Sequence, residues 1–320
     1  VRWKFWLGVA VSAAFLWIAV RGVSLEEIRH SLAEVRPAWL VVVLASIAAR
    51  FWFTAVRWQV LLRPVKTVGV HRLFGVTMIG FMANNVLPAR LGEVVRAYAL
   101  GKTESLPTSL SFATIVLERL FDGFTLLAFL VLGVVFLRPG PLIVWSAVTA
   151  FFLYLGVLVV LLGIRAGFGI GWLLARLPGR IRDRAAGLVE SFALGLDVLG
   201  DARGLLLSAV LSLAVWVVNA AGMWAMFAAF SLHLPAYAAF LVLAITALAL
   251  VLPSTPGYVG PMQAGTVLAL GLFSVPKADA LSLSILYHAI NYVPITVVGL
   301  AYLAALNLTL GELRAAGEKT

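Results

Sequence analysis

Asn84-Asn85-Val86-Leu87-Pro88-Ala89-Arg90-Leu91-Gly92-Glu93 lies inside an apolar stretch, and an uncharged counterpart follows at Leu252-Pro253-Ser254-Thr255-Pro256-Gly257-Tyr258-Val259-Gly260-Pro261. Both interrupt helices, because proline lacks the N–H that a helix needs and glycine loosens the backbone. A bilayer interior admits irregular backbone only where protein or a water-filled cavity satisfies the freed peptide groups. Each break therefore marks a candidate site.

The surrounding composition fixes the solvent. With 62% hydrophobic and 12% charged residues over 320 positions, the chain has too little polar surface for a soluble globule of its size. An all-α integral membrane protein, a polytopic helical bundle, is expected. The net charge of +10 lies mostly between apolar runs, where it meets lipid headgroups and sets orientation; nucleic acid is not an expected partner. No cysteine is present and the four histidines lack zinc-binding spacing, so no metal or other cofactor is expected. Arg2 and Lys4 precede an apolar run as in a signal peptide, but no small-x-small site ends it, which predicts a retained helix.

Apolar runs of spanning length occur at about 3–21, 37–62, 106–137, 141–163, 204–230 and 281–306. These predict six full spans. The regions 71–105 and 236–276 hold the two breaks, and each predicts a re-entrant helical hairpin. Ser24-Leu25-Glu26-Glu27 has the form of a capping box opening a surface helix, and an interfacial amphipathic helix is expected within 165–203. Placing the arginine-rich loops in the cytoplasm puts both termini there, in a multi-pass protein of the cell membrane. The hairpins then enter from opposite sides. One transmembrane domain, 1–320, is thus expected as an inverted repeat of halves 1–138 and 139–320. Val86-Leu87-Pro88 and Val251-Leu252-Pro253 open the breaks alike, and Glu93 precedes Glu118 by the interval that separates Gln263 from His288.

Glu118, Arg119 and Asp122 fall near mid-membrane, about 18 Å from the start of their span. Glu118 and Asp122 share a face, and Arg119 can pair with Asp122. Ionised groups at that depth need partners or water, which admits either a structural ion lock or a polar cavity. Arg90, Glu93 and Arg96 can share a face of the first hairpin's second arm. A helix beginning just after Pro88 would aim free N–H groups, with Arg90, at a phosphate. Arg50 is expected as the counterion of Glu118 or Glu93, while Arg57 lies nearer the cytoplasmic face, where snorkelling is an alternative. Asn84 and Asn85 add polar groups at the tip. In the second half His288 and Asn291 can face inward, with histidine as helix bridge or proton carrier. Pro88, Gly92, Pro253, Pro256, Gly257 and Gly260 form the hairpin breaks.

Asn84-Asn85-x-Leu87-Pro88-x-Arg90-x-Gly92-Glu93-x-x-Arg96, then Glu118-Arg119-x-x-Asp122, then Pro253-x-x-Pro256-Gly257-x-x-Gly260 resembles the transmembrane family of lysylphosphatidylglycerol synthases, over nearly the whole chain. The resemblance implies translocation of a phosphate-bearing lipid, either an anionic phospholipid of the phosphatidylglycerol type or a polyprenyl-phosphate lipid. No counterpart of the family's soluble aminoacyl-transferase domain is expected after about residue 307. On that reading Arg90, Arg96, Arg119 and Arg50, with Asn84 and Asn85, hold the headgroup. Glu93, Glu118, Asp122 and His288 balance charge or carry protons. Gln263 departs from the acidic residue expected at its position, which puts proton coupling through that half in doubt. A second copy of the chain and a separate lipid-modifying synthase or glycosyltransferase are the protein partners this admits. The rival functions are an integral-membrane transferase or hydrolase acting on a lipid phosphate, and a scaffold for a glycosyltransferase.

Overall fold

The computed structural model describes residues 2–87, 91–137, 141–176, 178–251 and 255–318, and all regular structure in them is helical. Pro88, Arg90 and Pro253 lie outside the described residues. The first half runs α1 (Arg2–Val20), α2 (Leu25–Ala33), α3 (Pro37–Leu62), α4 (Val70–Val86), α5 (Gly92–Glu104) and α6 (Thr108–Leu137). The chain continues with α7 (Pro141–Arg165), α8 (Ile170–Ala175), α9 (Gly179–Leu194), α10 (Ala202–Ala229), α11 (Ala236–Ala249), α12 (Pro261–Gly271), α13 (Lys277–Ala305) and α14 (Leu310–Glu318). It is a multi-pass membrane protein. Among the described residues four helices are long and apolar enough to cross a bilayer: α3, α7 over Val144–Arg165, α10 and α13. A fifth span arises if α1 and α2, bent by 74°, count as one.

The other two expected spans, 3–21 and 106–137, fall on α1 and α6. The described helix α1 is 19 residues long and turns sharply into α2, whose start is fixed by the predicted capping box: Ser24 Oγ accepts from Glu27 N–H, and the Glu27 carboxylate accepts from Ser24 N–H at 2.6 Å. Helix α6 has 30 residues but carries Glu118, Arg119 and Asp122 within it. The surface region after α7 is divided rather than one helix. Gly167 and Gly169, both at positive φ, separate α8 from α7, and Pro178 caps α9.

Each break joins two helices that pack on each other, α4 with α5 and α11 with α12. The packing then follows one scheme in both halves. Helix α5 lies on α6 as α12 lies on α13, and α2 lies on α13 as α9 lies on α6. Across the halves, α4 packs on α13, α11 packs on α6, and α3 and α10 form the most extensive pair. Small residues allow these crossings, as is usual where lipid supplies no hydrophobic drive between helices. A Cβ on Gly80 of α4 would run into Arg96 and the Gly92 backbone, one on Gly92 of α5 into the Gly80 carbonyl and Asn84, and one on Gly222 of α10 into Ser46 of α3.

Chain reversals repeat too. Ser105, which caps α5, and Ser274, in the turn after α12, are left-handed at φ 55° and 59°, and a proline follows two residues later in each case. The distance along the chain from Ser105 to Ser274 is also that from Gly92 to Pro261 and from Thr108 to Lys277, the first residues of α5, α12, α6 and α13. This register sets Arg119 against His288 and Asp122 against Asn291. The same offset carries Glu118 to Tyr287, the chain neighbour of His288.

Candidate functional site

The interior polar site is built on α6. Glu118 is fully buried and receives both terminal nitrogens of Arg96 from α5, at 2.7 and 3.0 Å. One turn on, Asp122 accepts both terminal nitrogens of Arg57 from α3, at 2.6 and 3.3 Å, and the indole N–H of Trp216 from α10 at 3.0 Å. Arg57 also donates to Ser212 of α10 at 2.7 Å and lies 3.6 Å from Glu118. Two-pronged charge-assisted bonds of this kind hold direction as well as charge. Four helices are thereby fastened around two carboxylates. The Arg96 guanidinium also sits 4.0 Å over the ring of Trp58, whose own N–H donates to Thr114 at 2.9 Å.

Arg119 differs from these two arginines. It donates to Glu118 at 2.7 Å and approaches Asp122 at 3.4 Å, both acceptors already engaged, and its side chain is 40% exposed. Glu93, in the first turn of α5, is partly buried. Arg50 is partly buried and donates at 3.4 Å to Asn291 of α13; no carboxylate lies within ion-pair distance of it among the described residues. Arg57, not Arg50, thus lies against Glu118 and Asp122, while Arg50 meets Asn291. The signal for Arg57 was its spacing from Arg50, since positions seven apart on a helix share a face.

The first break is closed from within. Helix α5 begins at Gly92, later than expected, and Asn84 Oδ1 accepts the Gly92 N–H at 2.8 Å. Asn84 is 4% exposed, so it serves as a cap on α5. Asn85 turns the other way, donating to Thr296 of α13 at 2.9 Å. At the second break Pro256, Gly257 and Tyr258 form a short 3₁₀ turn packed on α4. Gly260 N–H donates to Gln263 Oε1 at 2.8 Å, which leaves the Gln263 amide N to donate to His288 Nδ1 at 2.9 Å. This break is also fastened to α1, where Ser12 Oγ accepts from Thr255 N–H at 2.9 Å and the Gly260 Cα lies against the Ser12 backbone.

Two broken helix pairs packed around a buried arginine–carboxylate core define a polytopic helical membrane protein. The chain belongs to the family described as the lysylphosphatidylglycerol synthase TM region, which it matches over residues 5–299. It is 23% identical to a UPF0104 membrane protein of Methanocaldococcus jannaschii, with 92% of each chain covered. It is 24% identical to a UPF0104 membrane protein of Methanothermobacter thermautotrophicus, over 96% of this chain and 95% of that one. It is also 27% identical to glycosyltransferase AglD of Haloferax volcanii, over 89% of this chain and 51% of that protein.

Proposed function

We propose that the chain is a flippase or scramblase that passes the headgroup of a phosphate-bearing lipid through its polar interior while the acyl or prenyl tails stay in the bilayer. The observation that carries this is a surplus of cations. Four interior guanidiniums, Arg50, Arg57, Arg96 and Arg119, stand against two carboxylates in direct contact, and each buries an Nε–H with no acceptor among the described residues. An uncompensated charge at this depth costs at least about 2.5–3.5 kcal/mol, so an anion from the membrane itself is a favourable guest. Arg119, open on one side, takes the phosphate with Arg50 across from it, and Glu93 adjusts the balance. Arg57 and Arg96 hold the frame.

Two re-entrant hairpins in an inverted repeat, with α1 and α6 completing six spans and both termini cytoplasmic, give this interior an approach from each leaflet. The exchange-symmetric packing and the matched helix starts support that arrangement. Headgroup translocation of fluorescent phosphatidylglycerol and polyprenyl-phosphate lipids in proteoliposomes tests the function, with Arg119→Gln as the comparison. Equal rates for the parent and this variant would remove the assignment. The likeness to AglD favours a second reading, a membrane part serving a glycosyltransferase. Charge substitutions in the interior separate the two, since a scaffold tolerates them and a transporter does not.

A further inference from the structure

His288, Tyr292 and Thr296 recur every fourth residue of α13 and therefore form a stripe along one helix face. The stripe touches both breaks. His288 bonds Gln263 at the head of α12. Thr296 accepts from Asn85 at the end of α4. Tyr292, between them, reaches both: its hydroxyl donates to the Asn85 carbonyl at 3.2 Å, and its ring covers Gly257. A Cβ on Gly257 would lie 2.7 Å from that ring and 3.7 Å from the Asn85 carbonyl oxygen. Gly257 is at φ 74°, where glycine is the unstrained residue, so backbone and ring meet directly.

We propose that this stripe is a crossbar that locks the two helix breaks to each other, so that the backbone at Asn85 and at Gly257 shifts as one unit. The second break cannot move away from the first without losing the Tyr292 contact, and Tyr292 cannot turn without releasing Asn85. Closely packed contacts of this kind switch between discrete arrangements instead of deforming smoothly. The use of the crossbar, keeping the interior from opening to both leaflets together, rests on the translocation reading. The coupling itself rests on geometry alone.

The chain has no cysteine, so paired spin labels can be placed cleanly. Val86 and Val259, 43% and 41% exposed, flank the two contacts. With cysteines at both positions, pulsed dipolar spectroscopy in phosphatidylglycerol-containing nanodiscs is expected to give one narrow distance distribution. Tyr292→Phe combined with Thr296→Val is expected to split it into two populations, and Asn85→Ala, which removes the Thr296 bond but keeps the backbone carbonyl that Tyr292 holds, to give a smaller second population. Phe keeps the ring and Val the volume, so thermal stability is retained and the split is not a folding defect. A single unchanged distribution in both variants overturns the proposal, as does a parent protein that is already split. Translocation is measured on the same labelled proteins. Uncoupled variants alongside a parent that moves no lipid would leave the crossbar standing and remove the flippase reading; active transport with unchanged distances would do the reverse.

Discussion

Arg57 of α3 and Asp122 of α6 meet at 2.6 Å in the interior, with 1% and 10% of their side chains exposed. Removing one member of a buried pair strands the other, at a cost of about 3–5 kcal/mol, whereas an uncharged pair in the same place avoids most of that loss. Arg57→Gln and Asp122→Asn are each expected to lower the thermal midpoint in detergent sharply, and the double variant to recover part of the loss. Strict additivity of the two would show that the pair is not coupled.

Arg119 is expected to behave differently. Its carboxylate neighbours keep Arg96 and Arg57 when it is removed. Arg119→Gln should therefore change stability by no more than about 1 kcal/mol, the scale of a partly exposed ion pair, while abolishing headgroup movement. Thermal unfolding and proteoliposome transport on one preparation check both halves of this expectation. A variant that unfolds as readily as Asp122→Asn would place Arg119 in the structural frame.

The crossing of α4 and α5 leaves no room for a methyl group. Gly92→Ala would press against the Gly80 carbonyl and Asn84 and should cost about 1–3 kcal/mol by overpacking. At Gly156 of α7 an added methyl group would meet nothing within 4 Å, and Gly156→Ala there should be neutral or stabilising by up to about 1 kcal/mol. Chemical denaturation of the two variants in matched detergent gives the comparison.

Helix α14 is docked on α5 through buried Leu308 and Leu313 and by a 2.8 Å bond from Lys102 to Glu312. That bond holds the Glu312 carboxyl below its ordinary range and raises the Lys102 ammonium above its own. The Glu312 contribution is present above the unfolded carboxylate value and fades as pH falls through the depressed one. The Lys102 contribution is complete below the unfolded lysine value and fades as pH rises through the raised one. Amide exchange over Leu310–Arg314 should thus show constant protection from about pH 5 to 10 after correction for intrinsic rates, with losses outside that window. Glu312→Gln should remove the acid-side loss; an unaltered profile would assign docking to the leucines alone.

Much of the fold is legible in the sequence because its signals are local. Pro37 opens α3 where the apolar run begins, the Ser24–Glu27 box starts α2, and both broken helix pairs fall where proline and glycine interrupt apolar sequence. Glu118 and Asp122 share a face because helical spacing requires it. Which distant group answers each charge is not legible. The partners of Glu118 and Asp122 come from α3 and α5, and their choice depends on how those helices cross α6, a tertiary register that no local spacing encodes. Asn84 is a related case: a tip amide can face a ligand or cap a helix, and only the return of the chain at Gly92 decides for the cap.

The separation of Arg57 from Asp122 along the chain, 65 residues, also sets a problem for biogenesis. At about 5–20 residues per second, the ribosome delivers α3 roughly 3–13 s before the carboxylate that neutralises Arg57. During that interval a helix with two arginines must wait at the translocon or the headgroup boundary. The Arg57–Asp122 pair can close only once α6 has arrived, which ties the final seating of α3 to the insertion of α6.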